Sequence, residues 1–266
     1  MEILNNISSQ KYNNLLEFLA FLSVYDDEER LRVYKELIEG VGVKDKVVVE
    51  LGAGFGYLSV FASEKGARRV YAVERNPYAF KILKKNVKRY ENIQPIKADA
   101  LKFKPEEEVD VLIHDFYGPL LYDESLYILD NLKFKPKEVI PNGGVLKCGI
   151  LELERIDDPT VDIDVLKTFK NILVADLFDY YIKPKREFLV ASWEFGKGLK
   201  AFQPEIPKTG EVLVFWLEIL HDGKTLCSSY DCRNWPLVYT YNQGGKFVLK
   251  FSWRGDYSVV RFRWIT

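Results

Sequence analysis

The feature that most constrains this chain is a strand, a glycine turn and a helix in immediate succession: Val47-Val48-Val49-Glu50-Leu51, then Gly52-Ala53-Gly54-Phe55-Gly56, then an apolar run from Leu58. A strand that is apolar without alternation is covered on both faces, which parallel sheets require. Glycines at its end let the backbone turn tightly and approach a ligand, while the helix start offers unpaired N–H groups. The alternation continues, with helix predicted over 58–65 before Gly66, strand over 69–73, helix over 77–90, and strands over 93–97 and 109–114. That order predicts an α/β, Rossmann-like parallel sheet. A further helix is expected over 121–132 and a strand over 144–154.

Upstream, Leu15, Leu16, Leu19 and Leu22, then Leu31, Tyr34, Leu37 and Ile38, recur at helical spacing and are broken by Asp26-Asp27-Glu28. Two helices are expected there. Beyond about 153 the chain turns to short alternating runs punctuated by Gly, Pro and Asn, which predicts a mostly-β, barrel-like domain. The expected organisation is an N-terminal helical segment over 1–42, a Rossmann-like domain over 43–152 and a C-terminal β domain over 153–266.

The turn reads Gly-x-Gly-x-Gly, and Glu50 stands just before it. A carboxylate there repels a phosphate and suits a sulfonium-bearing amino acid, so S-adenosylmethionine is expected rather than a dinucleotide. Glu74, about twenty residues on at the end of the next strand, is placed to hold both ribose hydroxyls. Asp99 follows the third strand near the adenine position. Gly52, Gly54 and Gly56 complete this cofactor-binding set. No metal is expected, because a sulfonium methyl is already activated.

Acidic and basic side chains nearly cancel, for a formal charge of -1. No global field therefore draws the chain to nucleic acid or membrane. Cys148, Cys227 and Cys232, with only His114 and His221 to help them, indicate neither a disulfide framework nor a zinc site. The N-terminus lacks a basic region followed by an apolar run, and no stretch is long enough to span a membrane, so a cytoplasmic location is expected. Abundant Lys and Glu with scarce Met, Gln and His fit a thermophile.

The stretch from Lys44 through Gly56 to Glu74 resembles the protein arginine methyltransferases. So does Asp27-Glu28-Glu29-Arg30-Leu31-Arg32-Val33-Tyr34, and the resemblance gives Arg30 the cofactor's carboxylate. His114-Asp115-Phe116-Tyr117-Gly118-Pro119-Leu120-Leu121-Tyr122-Asp123-Glu124-Ser125 resembles that family's double-glutamate loop. The resemblance makes Asp115 and Glu124 the catalytic pair that grips a substrate guanidinium, with Tyr117 and Trp235 on the acceptor side. It implies a protein substrate methylated on arginine.

Departures from the family pattern are specific. Asp115 is one methylene shorter than the family's glutamate, and His114 replaces a serine. Arg233-Asn234-Trp235 keeps only the tryptophan of a Thr-His-Trp loop, and Tyr12 and Tyr25 are the nearest candidates for the aromatic cover of the cofactor. The similarity spans about 26–155, and the β half is short enough that a dimerisation arm is expected to be missing.

Two other readings are open. Asp115-Phe116-Tyr117-Gly118-Pro119 loosely resembles a loop that grips an exocyclic amine, and Lys246, Lys250, Arg254, Arg261 and Arg263 interleave with Phe247, Phe251, Trp253, Tyr257, Phe262 and Trp264. An RNA or small-molecule acceptor fits that pattern, although two strands with one polar and one apolar face produce the same alternation. A cofactor-binding interaction protein without catalysis is the remaining alternative.

Overall fold

A computed structural model describes residues 7–265 apart from 157, 180, 233 and 255–256. The first six residues, Arg233 and Asp256 therefore lie outside the described residues, as do the side chains of Arg254 and Tyr257. The chain forms two compact units. One comprises the chain up to Asp115 with Asn131–Pro141, and the other Phe116–Asp130 with the chain from Asn142 on.

The first unit begins with α1 (Ser9–Asp26) and α2 (Glu28–Val41). Asp27 ends the one and caps the other, its carboxylate accepting the Arg30 N–H at 3.0 Å. Helix α2 buries Arg30, Val33, Tyr34, Leu37 and Ile38, one stripe at helical period, while Glu28 and Glu29 favour the dipole at its start. There follow β1 (Val47–Leu51), α3 (Tyr57–Glu64), β2 (Arg69–Glu74), α4 (Pro77–Asn86), β3 (Ile93–Lys97), β4 (Val111–His114) and β5 (Glu138–Ile140).

The five strands pair in parallel in the order β3-β2-β1-β4-β5. Strand β1 is buried at every position, as its unbroken apolar run requires. Because β1 is flanked by β2 on one side and β4 on the other, strand order reverses at β1. Ligands of open α/β sheets bind beyond the carboxyl ends of strands at such a switch. Gly52 follows β1 there and Asp115 follows β4.

Helix α4 is shorter than its apolar pattern predicts. Asn76 caps its start and Pro77 fixes its first turn, but it stops at Asn86 and a tight turn from Val87 to Tyr90 leads into β3.

In the second unit β6 (Gly143–Leu151) is followed by α5 (Ile163–Thr168), β7 (Val174–Ala175), β8 (Glu187–Glu194), β9 (Gly198–Ala201), β10 (Val212–His221), β11 (Lys224–Ser228), β12 (Val238–Tyr241), β13 (Lys246–Arg254) and β14 (Tyr257–Ile265). Strands β7-β12-β10-β6-β8-β9 form a sheet in that order, with β11 also on β10. The described strands do not close on themselves, so the barrel-like expectation resolves into an open antiparallel sheet. Among the described residues, β13 and β14 form a separate two-stranded sheet.

The expected domain boundary at 152 shifts to Pro141, and the reason lies in hydrogen bonding. Strand β6 pairs antiparallel with β8 and β10 from Gly143 onward, so it belongs to the second unit throughout. The helix expected over 121–132 is also corrected. Leu121 adopts a left-handed conformation (φ 70°) and bridges to Gly118, and only Leu126–Asn131 coils, as a 3-10 turn. Asp123 holds the Leu120 N–H at 2.9 Å, a local bond that competes with helix formation.

Candidate active site

In the first unit, Gly52, Gly54 and Gly56 all have positive φ (72°, 54° and 84°). Two of them also have no room for a side chain. A methyl at Gly54 would stand 2.6 Å from the Tyr25 hydroxyl oxygen and 3.2 Å from Phe21, and one at Gly56 would strike Leu83. Gly56 caps α3 without a side chain, leaving the helix start to backbone groups.

The acids predicted around this turn divide by what they hold. Glu74 is 3% exposed; one oxygen accepts the Gly54 N–H at 2.8 Å and the other the Asn76 N–H at 2.6 Å. It ties the end of β2 to the turn after β1. Glu50 is buried and accepts the Ser59 hydroxyl. Burial pushes its carboxyl up to about 8; hydrogen bonds from Ser59 oppose the shift, and the charges of Glu74 and Asp115 add to it. Asp99 is half-buried, and one oxygen accepts the Leu101 N–H at 2.9 Å, capping the turn after β3.

The cover over the turn was only partly legible. Tyr25, one of two aromatics anticipated, accepts the Phe55 N–H at 2.7 Å and stacks on the Phe55 ring at 4.7 Å. Burial raises its phenol above the ordinary range. Phe18 and Phe21 join it on Phe55 at 5.8 and 6.0 Å. Neither was anticipated, although both share with Tyr25 a helical spacing of three or four residues. Tyr12 lies on the exposed side of α1.

Beyond β4, Asp115 is held by a guanidinium already. Its Oδ2 accepts Arg30 Nε at 2.7 Å and pairs with Nη2 at 2.6 Å, and its Oδ1 accepts the Tyr34 hydroxyl at 2.8 Å. Arg30 is 4% exposed. The resemblance sends Arg30 to the cofactor and Asp115 to the substrate; the structure shows the two bonded to each other. His114 is buried against the Pro141 carbonyl, its Nε2 at 2.8 Å, and burial pushes its imidazole down to about 4. The ring is thus neutral at pH 7 and donates that bond.

The second unit carries the rest of the loop. Gly118 is required because Asp123 and Glu124 fold over it: a methyl there would collide with the Asp123 carboxylate and lie 2.8 Å from Glu124 Cγ. Burial pushes the Asp123 carboxyl up to about 6, against the Leu120 N–H it holds. Tyr117 and Trp235, predicted to touch the acceptor, are 0% and 1% exposed. The Tyr117 hydroxyl donates to the Gly143 carbonyl at 2.9 Å, and Trp235 Nε1 donates to the Tyr117 carbonyl at 3.0 Å. Both side chains pin the loop onto the sheet of that unit.

Among the described side chains, the interleaved cations and rings of β13 and β14 separate onto two faces. Phe247, Phe262 and Trp264 are buried, and Trp253 packs on Tyr127 and Tyr122 with centroids 3.8 and 5.7 Å apart. Lys246, Lys250, Arg261 and Arg263 are exposed on the other face. The described rings form no outward stacking platform of the kind the RNA reading invoked.

Among the described residues no three His, Cys, Asp or Glu side chains are grouped to hold a metal ion, and the three cysteines are buried thiols. No described helix is long and apolar enough to cross a membrane.

Residues 19–120 match the model of the TRM5/TYW2 methyltransferase domain. In solved structures, the Trypanosoma brucei PRMT1 enzyme-prozyme complex with AdoHcy superposes with a TM-score of 0.65 at 17% identity, over 91% of this chain and 97% of that one. The fold and the glycine-turn site define a class I S-adenosylmethionine-dependent methyltransferase with protein arginine methyltransferase-like architecture. The turn is built from Gly52, Gly54 and Gly56 with positive φ, Glu50 buried beneath it and Glu74 bonded to the Gly54 N–H.

Uncharacterized protein MJ1452 of Methanocaldococcus jannaschii is 37% identical over 256 residues, which are 90% of this chain and 94% of that protein. The chain belongs to the same family as that archaeal protein. Danio rerio protein arginine N-methyltransferase 6 is 36% identical over 142 residues, 51% of this chain but only 40% of that relative's length.

Proposed function

We propose that this methyltransferase N-methylates arginine in a protein substrate. The observation that supports this reading best is Asp115 at the carboxyl end of β4, binding a guanidinium through one oxygen at 2.6 and 2.7 Å. A carboxylate already matched to a guanidinium in hydrogen bonding and charge suits the arginine side chain of a substrate. In this reading Glu124 supplies the second carboxylate, and Gly118 lets its side chain lie close over the loop.

The cofactor supplies an electrophilic methyl group on a sulfonium. Arg30, Glu50, Glu74, Asp99 and the three glycines would hold it, with Arg30 turning from Asp115 to the cofactor's carboxylate and so freeing Asp115 for the substrate. Asp115 and Glu124 draw the guanidinium's positive charge toward the nitrogens they touch. The remaining nitrogen would keep more lone-pair density and be aimed at the methyl, so that the N–C bond forms as the S–C bond breaks. The sulfonium leaves as a neutral thioether and the surplus proton of the methylated guanidinium passes to solvent; orientation contributes much of the acceleration. Tyr117 and Trp235 position the loop through the contacts described above. The expected location is the cytoplasm.

The test is Asp115→Asn and Glu124→Gln, assayed separately for cofactor binding by calorimetry and for methyl transfer to an arginine-rich protein. Each should lower kcat about 100-fold, the scale of losing one precisely aimed charged group, and leave cofactor affinity within a few fold. Full transfer by the double variant would overturn the paired-carboxylate reading.

A further inference from the structure

The outer face of the β13–β14 ribbon has no role in the methyl-transfer reading. Its register sets Lys250 directly opposite Arg261, Val248 opposite Arg263 and Lys246 opposite Ile265. All four cations are exposed. Lys246 reaches Glu205 only at 3.9 Å, and no acid among the described residues pairs with Lys250, Arg261 or Arg263. Like charges directly opposite each other in a sheet are destabilising. A chain of net charge -1 that concentrates four exposed cations on one ribbon face, three of them without an acid partner among the described residues, fits a polyanion there.

The inner face is spoken for. Phe247 and Phe262 pack on Phe215 of β10 at 5.6 and 5.9 Å, and the Ser258 hydroxyl donates to the Asp123 carbonyl beside Glu124. The ribbon is therefore anchored to the sheet and to the Glu124 loop while its cationic face points outward.

We propose that this face docks duplex DNA through its phosphates. Same-face positions on a strand recur every ~7 Å, so the four cations line a row of about 14 Å. A two-stranded ribbon fits the B-form major groove, about 12 Å wide, whereas the A-form major groove is too deep and narrow for side chains to read. Single strands are gripped largely by stacking on aromatic rings, and the rings whose side chains are described on this ribbon, Phe247, Phe251, Trp253, Phe262 and Trp264, lie on the inner face. Contacts confined to phosphates make the docking independent of base sequence.

The test is fluorescence anisotropy of the full chain with a labelled, mixed-sequence DNA duplex two helical turns long. Between about 50 and 200 mM salt, four phosphate contacts predict a slope of log K on log salt of about -3.6. The triple variant Lys250→Ala, Arg261→Ala, Arg263→Ala should lower that slope to about -1 and weaken binding at least tenfold at the low-salt end. Its melting temperature should not fall, since it removes opposed like charges. Arg261→Lys with Arg263→Lys should retain binding, because point charges suffice for phosphates. Three results would overturn the proposal: no duplex binding in low salt, equal binding by the triple variant, or a single-stranded RNA or glutamate-rich peptide bound as tightly as the duplex.

Discussion

Glu50 is the residue whose ionisation depends most visibly on the fold. Its folded value of about 8 lies above the ordinary 4.5, so its contribution to stability is fully present below 4.5 and lost as pH rises through 8. Glu50→Gln keeps a partner for Ser59 and removes the titration. The melting temperature of that variant relative to the native chain should therefore climb between pH 5 and 9; a difference constant across that range would show that Glu50 is not held neutral. His114 works with the opposite sign. Its folded value of about 4 lies below the ordinary 6.5, so stability present above pH 6.5 is lost as pH falls through 4, on the order of 3 kcal/mol. His114→Gln should flatten the acid limb of the thermal stability curve in that window. At this scale the glycines, Glu50 and Glu74 were legible because each sits at a fixed offset from a strand end. The Arg30–Asp115 pair was not, because its partners are 85 positions apart and each had been assigned to a different ligand.

Among the elements, α3 depends on a turn that only glycine fits. Gly56 has φ 84°, and a side chain there meets Leu83 of α4. Gly56→Ala should cost about 2 kcal/mol, from left-handed backbone strain plus the displacement of Leu83. Cofactor affinity should fall with it, measured by calorimetry alongside thermal melting; an unchanged affinity would place the cofactor away from this turn. The parallel strands could be read because buried apolar runs separated by helical pattern admit few arrangements. Short elements could not: β5 has three residues and β7 two, below the length at which periodicity carries information. Helix α1 was predicted, but its aromatic cover was missed. Leu16, Leu19 and Leu22 are exposed while Phe18 and Phe21 are half-buried, so apolar residues are spread around the helix and mark no single face.

For the whole molecule, the chain reads as a parallel sheet, to which the proposal assigns the cofactor, and an antiparallel sheet whose unit carries the Glu124 loop. The change of texture near 153 was visible in the sequence, yet the division falls at Pro141. Strand β6 is mostly apolar, as a buried parallel strand also is, and only its partners β8 and β10 reveal its sheet. The acceptor is the central claim at this scale, and one measurement tests it most directly. The purified chain is incubated with methyl-labelled S-adenosylmethionine and extract from its own cells, and the labelled product is digested with protease or nuclease and identified by mass spectrometry. The account predicts label released by protease and found as methylated arginine. Label released by nuclease, or found on a small molecule, would contradict it.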